Sequence, residues 1–196
     1  MTATYKYYLF NKPYGVLSQF TKELPTHTTL ADYLSLPSDI YPVGRLDKDT
    51  EGLLVLTNDN KLKTRLLDPE KQTTKTYIAQ VEGDITPSAL QALQRGVNIR
   101  VGKKHYTTRP AKAELLAGYS RPDRDPPVRY RASIPTSWIQ LQITEGKNRQ
   151  VRKMCAAVDY PVLRLVRTAI GQLSVDIAAG EVMELSPEQI QQLVGK

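Results

Sequence analysis

The stretch Y-P-V-G-R-L-D-K-D-T-E-G-L-L-V-L-T, running from Tyr41 to Thr57, sets a short polar insert between two apolar runs, 41–46 and 53–56. Leu53-Leu54-Val55-Leu56 is uninterrupted and is bounded by Gly52 on one side and Thr57-Asn58-Asp59 on the other. A run of that kind reads as a strand buried on both faces. The insert Asp47-Lys48-Asp49-Thr50-Glu51-Gly52 is then a loop aimed by rigid core elements, which is where reactive side chains are placed. Arg45 precedes Asp47 by two residues, so both side chains fall on one side of an extended backbone. A guanidinium there keeps a carboxylate ionised and oriented. Asp47 would serve as an oxygen nucleophile, or as a fixed negative charge facing a developing cation. Gly52 supplies backbone freedom where the chain re-enters the core. Taken alone, the same residues also describe an Asp-rich surface turn with a structural ion pair.

Upstream, residues 5–10 are β-prone and end in Asn11-Lys12-Pro13-Tyr14-Gly15, a turn forced by Pro13 and Gly15. Lys12 is a candidate phosphate contact in that turn, with a solvated lysine as the alternative. Residues 16–20 are expected to form a second short strand. Residues 28–34 read as a short helix with a threonine cap, stopped by Pro37. Downstream, Asn58-Asp59-Asn60 caps a helix whose leucines 62, 66 and 67 form a core stripe. Residues 75–81 alternate as a strand, and Thr86-Pro87 opens a helix that Gly96 ends. Strands near 97–101, 105–108 and 111–116 are expected to form a meander.

The chain has 196 residues, enough for one large domain or two small lobes. Its apolar runs are too short for a membrane span, and its N-terminus lacks the apolar core of a signal peptide. One cysteine, Cys155, excludes an intramolecular disulfide, and two distant histidines give little support to zinc. These features fit a reducing cytoplasm. The net charge of +7 favours a polyanionic partner, nucleic acid above all. The basic residues cluster: nine Lys/Arg against three acids over 100–131, and six against one over 147–167. Clustering of that kind marks a binding face.

Residues 118–135 hold four of the 13 prolines and four arginines, too polar to pack a core. They read as a long loop, either wrapping a nucleic-acid backbone or a variable insertion. Residues 137–144 alternate, with Ile139, Leu141 and Ile143 inward. The period becomes helical from Asn148, with Val151, Met154, Cys155 and Val158 on one buried face and Arg149, Arg152 and Lys153 on another. Basic residues in a first turn oppose the helix dipole unless an anion sits at the helix start. Residues 161–167 form a strand carrying Arg164 and Arg167, 181–185 close the sheet, and Ser186-Pro187-Glu188-Gln189 is a capping box.

Four separated stretches together resemble one family, the pseudouridine synthases. They are Lys12-Pro13-Tyr14-Gly15-Val16, Arg45-Leu46-Asp47-Lys48-Asp49-Thr50-Glu51-Gly52-Leu53, Lys75-Thr76-Tyr77, and Glu145-Gly146-Lys147-Asn148-Arg149-Gln150-Val151-Arg152-Lys153-Met154. The last is similar to the branch that modifies ribosomal RNA. The resemblance implies an α+β fold: a mixed, largely antiparallel sheet in two lobes, with flanking helices and a central active-site cleft. It implies one catalytic domain over 1–196, without the N-terminal RNA-binding appendage common in this branch. The implied reaction is isomerisation of uridine to pseudouridine in 23S ribosomal RNA, with no metal or other cofactor. Asp47 matches the catalytic aspartate, Tyr77 the tyrosine that packs on the base, and Arg152 the arginine that pairs with the aspartate. Arg45 and Leu141 are counted as supporting residues. Lys12, Lys147, Arg149, Lys153, Arg164 and Arg167 are counted as RNA-binding. Arg149 stands where many relatives carry histidine. A monomer is the default.

Two other readings compete. One is a non-catalytic ribosomal RNA-binding or assembly factor, which needs the basic clusters but not Asp47. The other is a metal-dependent hydrolase or nuclease using Asp47, Asp49 and Glu51 on one face of an extended segment.

Overall fold

The computed structural model describes residues 5–129 and 131–195. In chain order the elements are β1 (Tyr7–Lys12), β2 (Val16–Leu17), β3 (Thr28–Thr29), β4 (Tyr41–Pro42), β5 (Glu51–Thr57), α1 (Asn60–Leu67) and β6 (Lys75–Glu82). They continue with α2 (Pro87–Arg95), β7 (Asn98–Val101), β8 (Lys104–Thr107), β9 (Lys112–Leu115) and β10 (Thr136–Ile143). The last are α3 (Gln150–Ala156), β11 (Val162–Ile170), β12 (Val182–Glu184) and α4 (Pro187–Val194). The chain divides into two compact units, Met1–Thr73 with Arg167–Lys196, and Thr74–Val166. It re-enters the first unit partway along β11.

The first unit is built on β5, every residue of which is buried. Leu53 and Val55 enter a core with Leu9, Val43, Leu62, Leu66, Ile170, Leu173, Leu185 and Leu193. Leu54 and Leu56, on the opposite face, are fully buried as well. Antiparallel β1 flanks β5 and carries β12 on its other edge, and β4 also pairs with β5. Helix α1 is capped by Asp59, whose side chain accepts from the N–H groups of Lys61 and Leu62. Helix α4 opens with the expected capping box at Ser186.

The second unit packs β6, β10 and β9 antiparallel in that order. Ile139, Leu141 and Ile143 of β10 enter a core with Ala79, Val81, Leu93, Val151, Met154, Cys155 and Leu165. Thr86 caps α2 through the Ala89 N–H, and Gly96 ends it. The largely antiparallel α+β fold is as expected, and β2 and β3 pair parallel.

Several local expectations are corrected. Of 41–46, just Tyr41–Pro42 pairs as a strand, and Tyr41 is 57 % exposed. Of 16–20, Val16–Leu17 alone pairs. The turn after Thr29 is a single 3-10 turn, because Asp32 reaches back to close a capping box at once. Leu67 lies outside the leucine stripe and is exposed. The meander fails: β7 and β8 form a two-stranded sheet of their own, while β9 joins β10. Over 118–135 the described residues form no strand or helix but are anchored. Tyr119 packs edge-on against Trp138, Arg131 pairs with Glu82, and the Pro135 carbonyl accepts from the Gly83 N–H.

Candidate active site

Asp47 is half-buried in a loop whose backbone is tied down residue by residue. The Leu46 N–H donates to Ser18 Oγ at 3.0 Å, and the Ser18 hydroxyl donates to the Leu46 carbonyl at 2.8 Å. The Gly15 N–H donates to the Lys48 carbonyl at 2.8 Å, and the Thr50 N–H donates to the Asp47 carbonyl at 3.0 Å. Three of these bonds come from the Lys12-to-Ser18 segment, so the first motif and the two residues after it brace the aspartate loop. Hydrogen bonds on both sides of one residue restrict its φ and ψ, which is how a side chain on a loop is held in one direction.

Lys12 closes that brace from inside. It has no exposed surface, and its Nζ donates to the carbonyls of Pro13 and Val16 at 2.9 and 2.8 Å. Burial pulls its pKa down to about 8, against the opposing pull of Glu51, Asp49 and Asp47. The expected phosphate contact at Lys12 is therefore corrected: its ammonium serves the turn's own backbone and does not face solvent. Arg45, on the exposed side, donates from Nη2 to Gln19 Oε1 at 2.9 Å.

Arg167 is buried, and its Nε donates to the Leu53 carbonyl at 2.8 Å. It lies against Gly52, where φ is +106° and an added Cβ would stand 2.2 Å from the Arg167 carbonyl oxygen. Gly52 is required twice over, by conformation and by close approach. Arg164 is buried as well, and its Nη1 donates to the Pro122 carbonyl at 2.7 Å. Both arginines were expected at an RNA-facing surface. Strand β11 is buried on both faces from Arg164 to Arg167, so alternation brings neither side chain to the outside.

In the second unit Tyr77 on β6 stands opposite Leu141 on β10, half-buried against the core. Leu141 is fully buried in the core against which the tyrosine packs. Arg152 is half-buried on α3 and donates from Nη1 to the Val162 carbonyl at 3.2 Å. Lys147 and Arg149 are exposed, and Lys153 is half-buried with Nζ on Asn148 Oδ1 at 3.2 Å. The helix begins at Gln150, later than the expected Asn148, because Arg149 adopts a left-handed φ of +52°.

The sequence reading missed Ser18, Glu145 and Gln150. Glu145 is buried and accepts from the Tyr106 hydroxyl, from the Arg109 N–H at 2.9 Å and from Gln150 Nε2 at 2.6 Å. Gln150 Oε1 in turn accepts from the Lys147 N–H at 2.9 Å. Acceptance of a hydrogen bond by Glu145 holds the Tyr106 phenol above its usual range. The signal available was a Glu and a Gln five residues apart around a glycine turn, which periodicity does not read. Cys155 is inert: burial pushes its thiol up to about 12. Among the described residues no three His, Cys, Asp or Glu side chains are grouped to hold a metal ion, so the Asp47–Asp49–Glu51 metal reading finds no support.

Residues 6–157 match the family model described as RNA pseudouridylate synthase, and the chain belongs to that family. It is 53% identical over 174 residues to ribosomal large subunit pseudouridine synthase E of Xanthomonas axonopodis pv. citri (strain 306), covering 87% of this chain and 88% of the relative. It is 46% identical over 182 residues to the protein of the same name from Vibrio vulnificus (strain CMCP6), covering 92% and 75%. A solved structure described as a pseudouridylate synthase superposes with a TM-score of 0.79 at 28% identity, over 97% of this chain and 74% of that one.

Proposed function

We propose that this protein isomerises one uridine to pseudouridine in the 23S RNA of the large ribosomal subunit, with Asp47 acting at the sugar. The observation that carries the substrate class is the likeness, over 87% of the chain, to a synthase named for the large subunit. The chemistry asks for little else. The base leaves C1′, turns, and reattaches through C5. Breaking the glycosidic bond puts positive character on the sugar, which a carboxylate stabilises or traps. One carboxylate suffices because the base is kept. A braced, half-buried aspartate suits that role. The uridine must leave its stack to be reached, and Tyr77 offers a ring face to receive it. Arg152 is a proposed active-site arginine, and exposed Lys147 and Arg149, with half-buried Lys153, are the proposed phosphate contacts. No metal or nucleotide enters the reaction. The enzyme works as a monomer in the cytoplasm, where ribosomes are assembled.

The test is a map of pseudouridines in ribosomal RNA from cells with and without the gene. One large-subunit uridine is expected to lose its modification on deletion and regain it on complementation. An unchanged map would overturn the proposal in favour of a binding factor.

A further inference from the structure

We propose that the β7–β8 hairpin and the 147–153 segment form one docking surface for the RNA phosphate backbone, with buried Glu145 setting the two pieces in register. The inference rests on the reading of RNA as substrate and extends it to contacts away from the target nucleotide.

Residues 98–109 carry Arg100, Lys103, Lys104 and Arg109 and no acidic residue. The register places Arg100 opposite His105 on one face and Ile99 opposite Tyr106 on the other. Ile99 is 3% exposed and belongs to the second unit's core, so the Arg100–His105 face looks outward. Arg100, Lys103, Lys104 and His105 are all exposed. Adjacent charges of one sign on a short ribbon repel unless a polyanion neutralises them.

A two-stranded ribbon is marginal by itself and must be held by what it packs on. Here the hold is chemical as well as apolar. Glu145 takes the Tyr106 hydroxyl and the Arg109 N–H from the hairpin side, and Gln150 Nε2 from the start of α3. The three donors face a carboxylate that is 5% exposed. On the surface above it, Lys147 Nζ sits 4.8 Å from the centre of the Tyr106 ring, a cation–π contact that aims the ammonium. Lys104 lies two residues before Tyr106 on the same face of β8, opposite to the face of Arg100 and His105, and is exposed at the end of the hairpin. The cations of the hairpin, on both its faces, and those of the 147–153 segment are therefore tied to one piece of structure through Tyr106 and Glu145. Fixed cations of one sign read a repeating phosphate backbone without reading bases.

The experiment measures the dissociation constant for a 23S RNA transcript as a function of salt. The triple variant Arg100→Ala, Lys103→Ala, Lys104→Ala is expected to bind at least about tenfold more weakly near 0.1 M salt. Its slope of log affinity against log salt should fall by about 2, from three charges at about 0.7 each on single-stranded RNA. Unchanged affinity and slope would overturn the surface. Tyr106→Phe keeps every cation and tests the register: it is expected to weaken binding severalfold, and wild-type affinity in that variant would remove Glu145 from the proposal. Pseudouridine is scored on the same transcript. Product with no change in slope sinks the surface and leaves the enzyme standing. A changed slope without product from the wild type does the reverse.

Discussion

Lys12 carries its charge at a position with no exposed surface, and that has a measurable consequence. Its folded pKa of about 8 lies below the ordinary 10.5. Between those values the unfolded chain binds more protons than the folded one, so stability rises with pH across that window and is lost as pH falls through 8. Cys155 acts in the opposite sense above pH 9, because its folded thiol stays protonated up to about 12. The difference between wild type and Lys12→Met isolates the lysine. Urea midpoints taken from pH 7 to 10.5 should show a rising contribution in the wild type that Lys12→Met lacks. Parallel curves would mean the ammonium is not desolvated as described. At Gly52 the expected outcome is steric: Gly52→Ala forces a Cβ against the Arg167 backbone at a φ of +106°. The cost should reach roughly 3 kcal/mol in denaturant unfolding, from strain and overpacking together. The need for glycine there was legible from the sequence. Its closeness to Arg167 was not, because 115 positions of chain separate the two and no periodicity links them.

At the scale of elements, β5 and β10 were readable because burial on one or both faces leaves a direct pattern of apolar residues. What patterning could not reach are elements defined by polar contacts. The first motif looked like a strand followed by a phosphate-binding turn. The strand is there, but the turn is a brace, in which the Gly15 N–H and, just past the motif, the Ser18 hydroxyl hold the main chain of the aspartate loop. The basic segment before α3 looked like a helix start awaiting an anion. It is a turn organised around Glu145, with Arg149 in a left-handed conformation. Removing that carboxylate leaves the Tyr106 hydroxyl, the Arg109 N–H and Gln150 Nε2 short of an acceptor. Glu145→Ala, which strands three donors at about 1–3 kcal/mol each, should therefore lose more than about 3 kcal/mol of stability. Tyr106→Phe, which gives up one bond to a charged acceptor, should lose about 1.5–3 kcal/mol. Chemical denaturation of both variants checks the order, and a Tyr106→Phe loss as large as that of Glu145→Ala would contradict the shared network.

Across the whole molecule, the positive balance of +7 was a sound guide to the kind of partner but a poor guide to individual contacts. Three of the six residues counted as RNA-binding, Lys12, Arg164 and Arg167, are buried and serve carbonyl groups of the protein itself. Cations that stabilise turns and strands have the same letters as cations that meet phosphate, and burial alone separates them. Of the six, Lys147 and Arg149 are exposed, and both belong to the surface proposed above. Family membership, by contrast, was legible from four short motifs, because each fixes a local geometry that few other chains need in that order.

The central claim is that one carboxylate carries the chemistry while the fold is indifferent to its charge. It is tested by purified Asp47→Asn on a 23S RNA transcript labelled with tritium at uridine C5. Wild-type protein is predicted to release tritium and form pseudouridine. The variant is predicted to form none, while keeping an unfolding free energy in urea within about 0.5 kcal/mol of wild type, the range of a substitution away from the core. Pseudouridine formed by the asparagine variant would contradict the account.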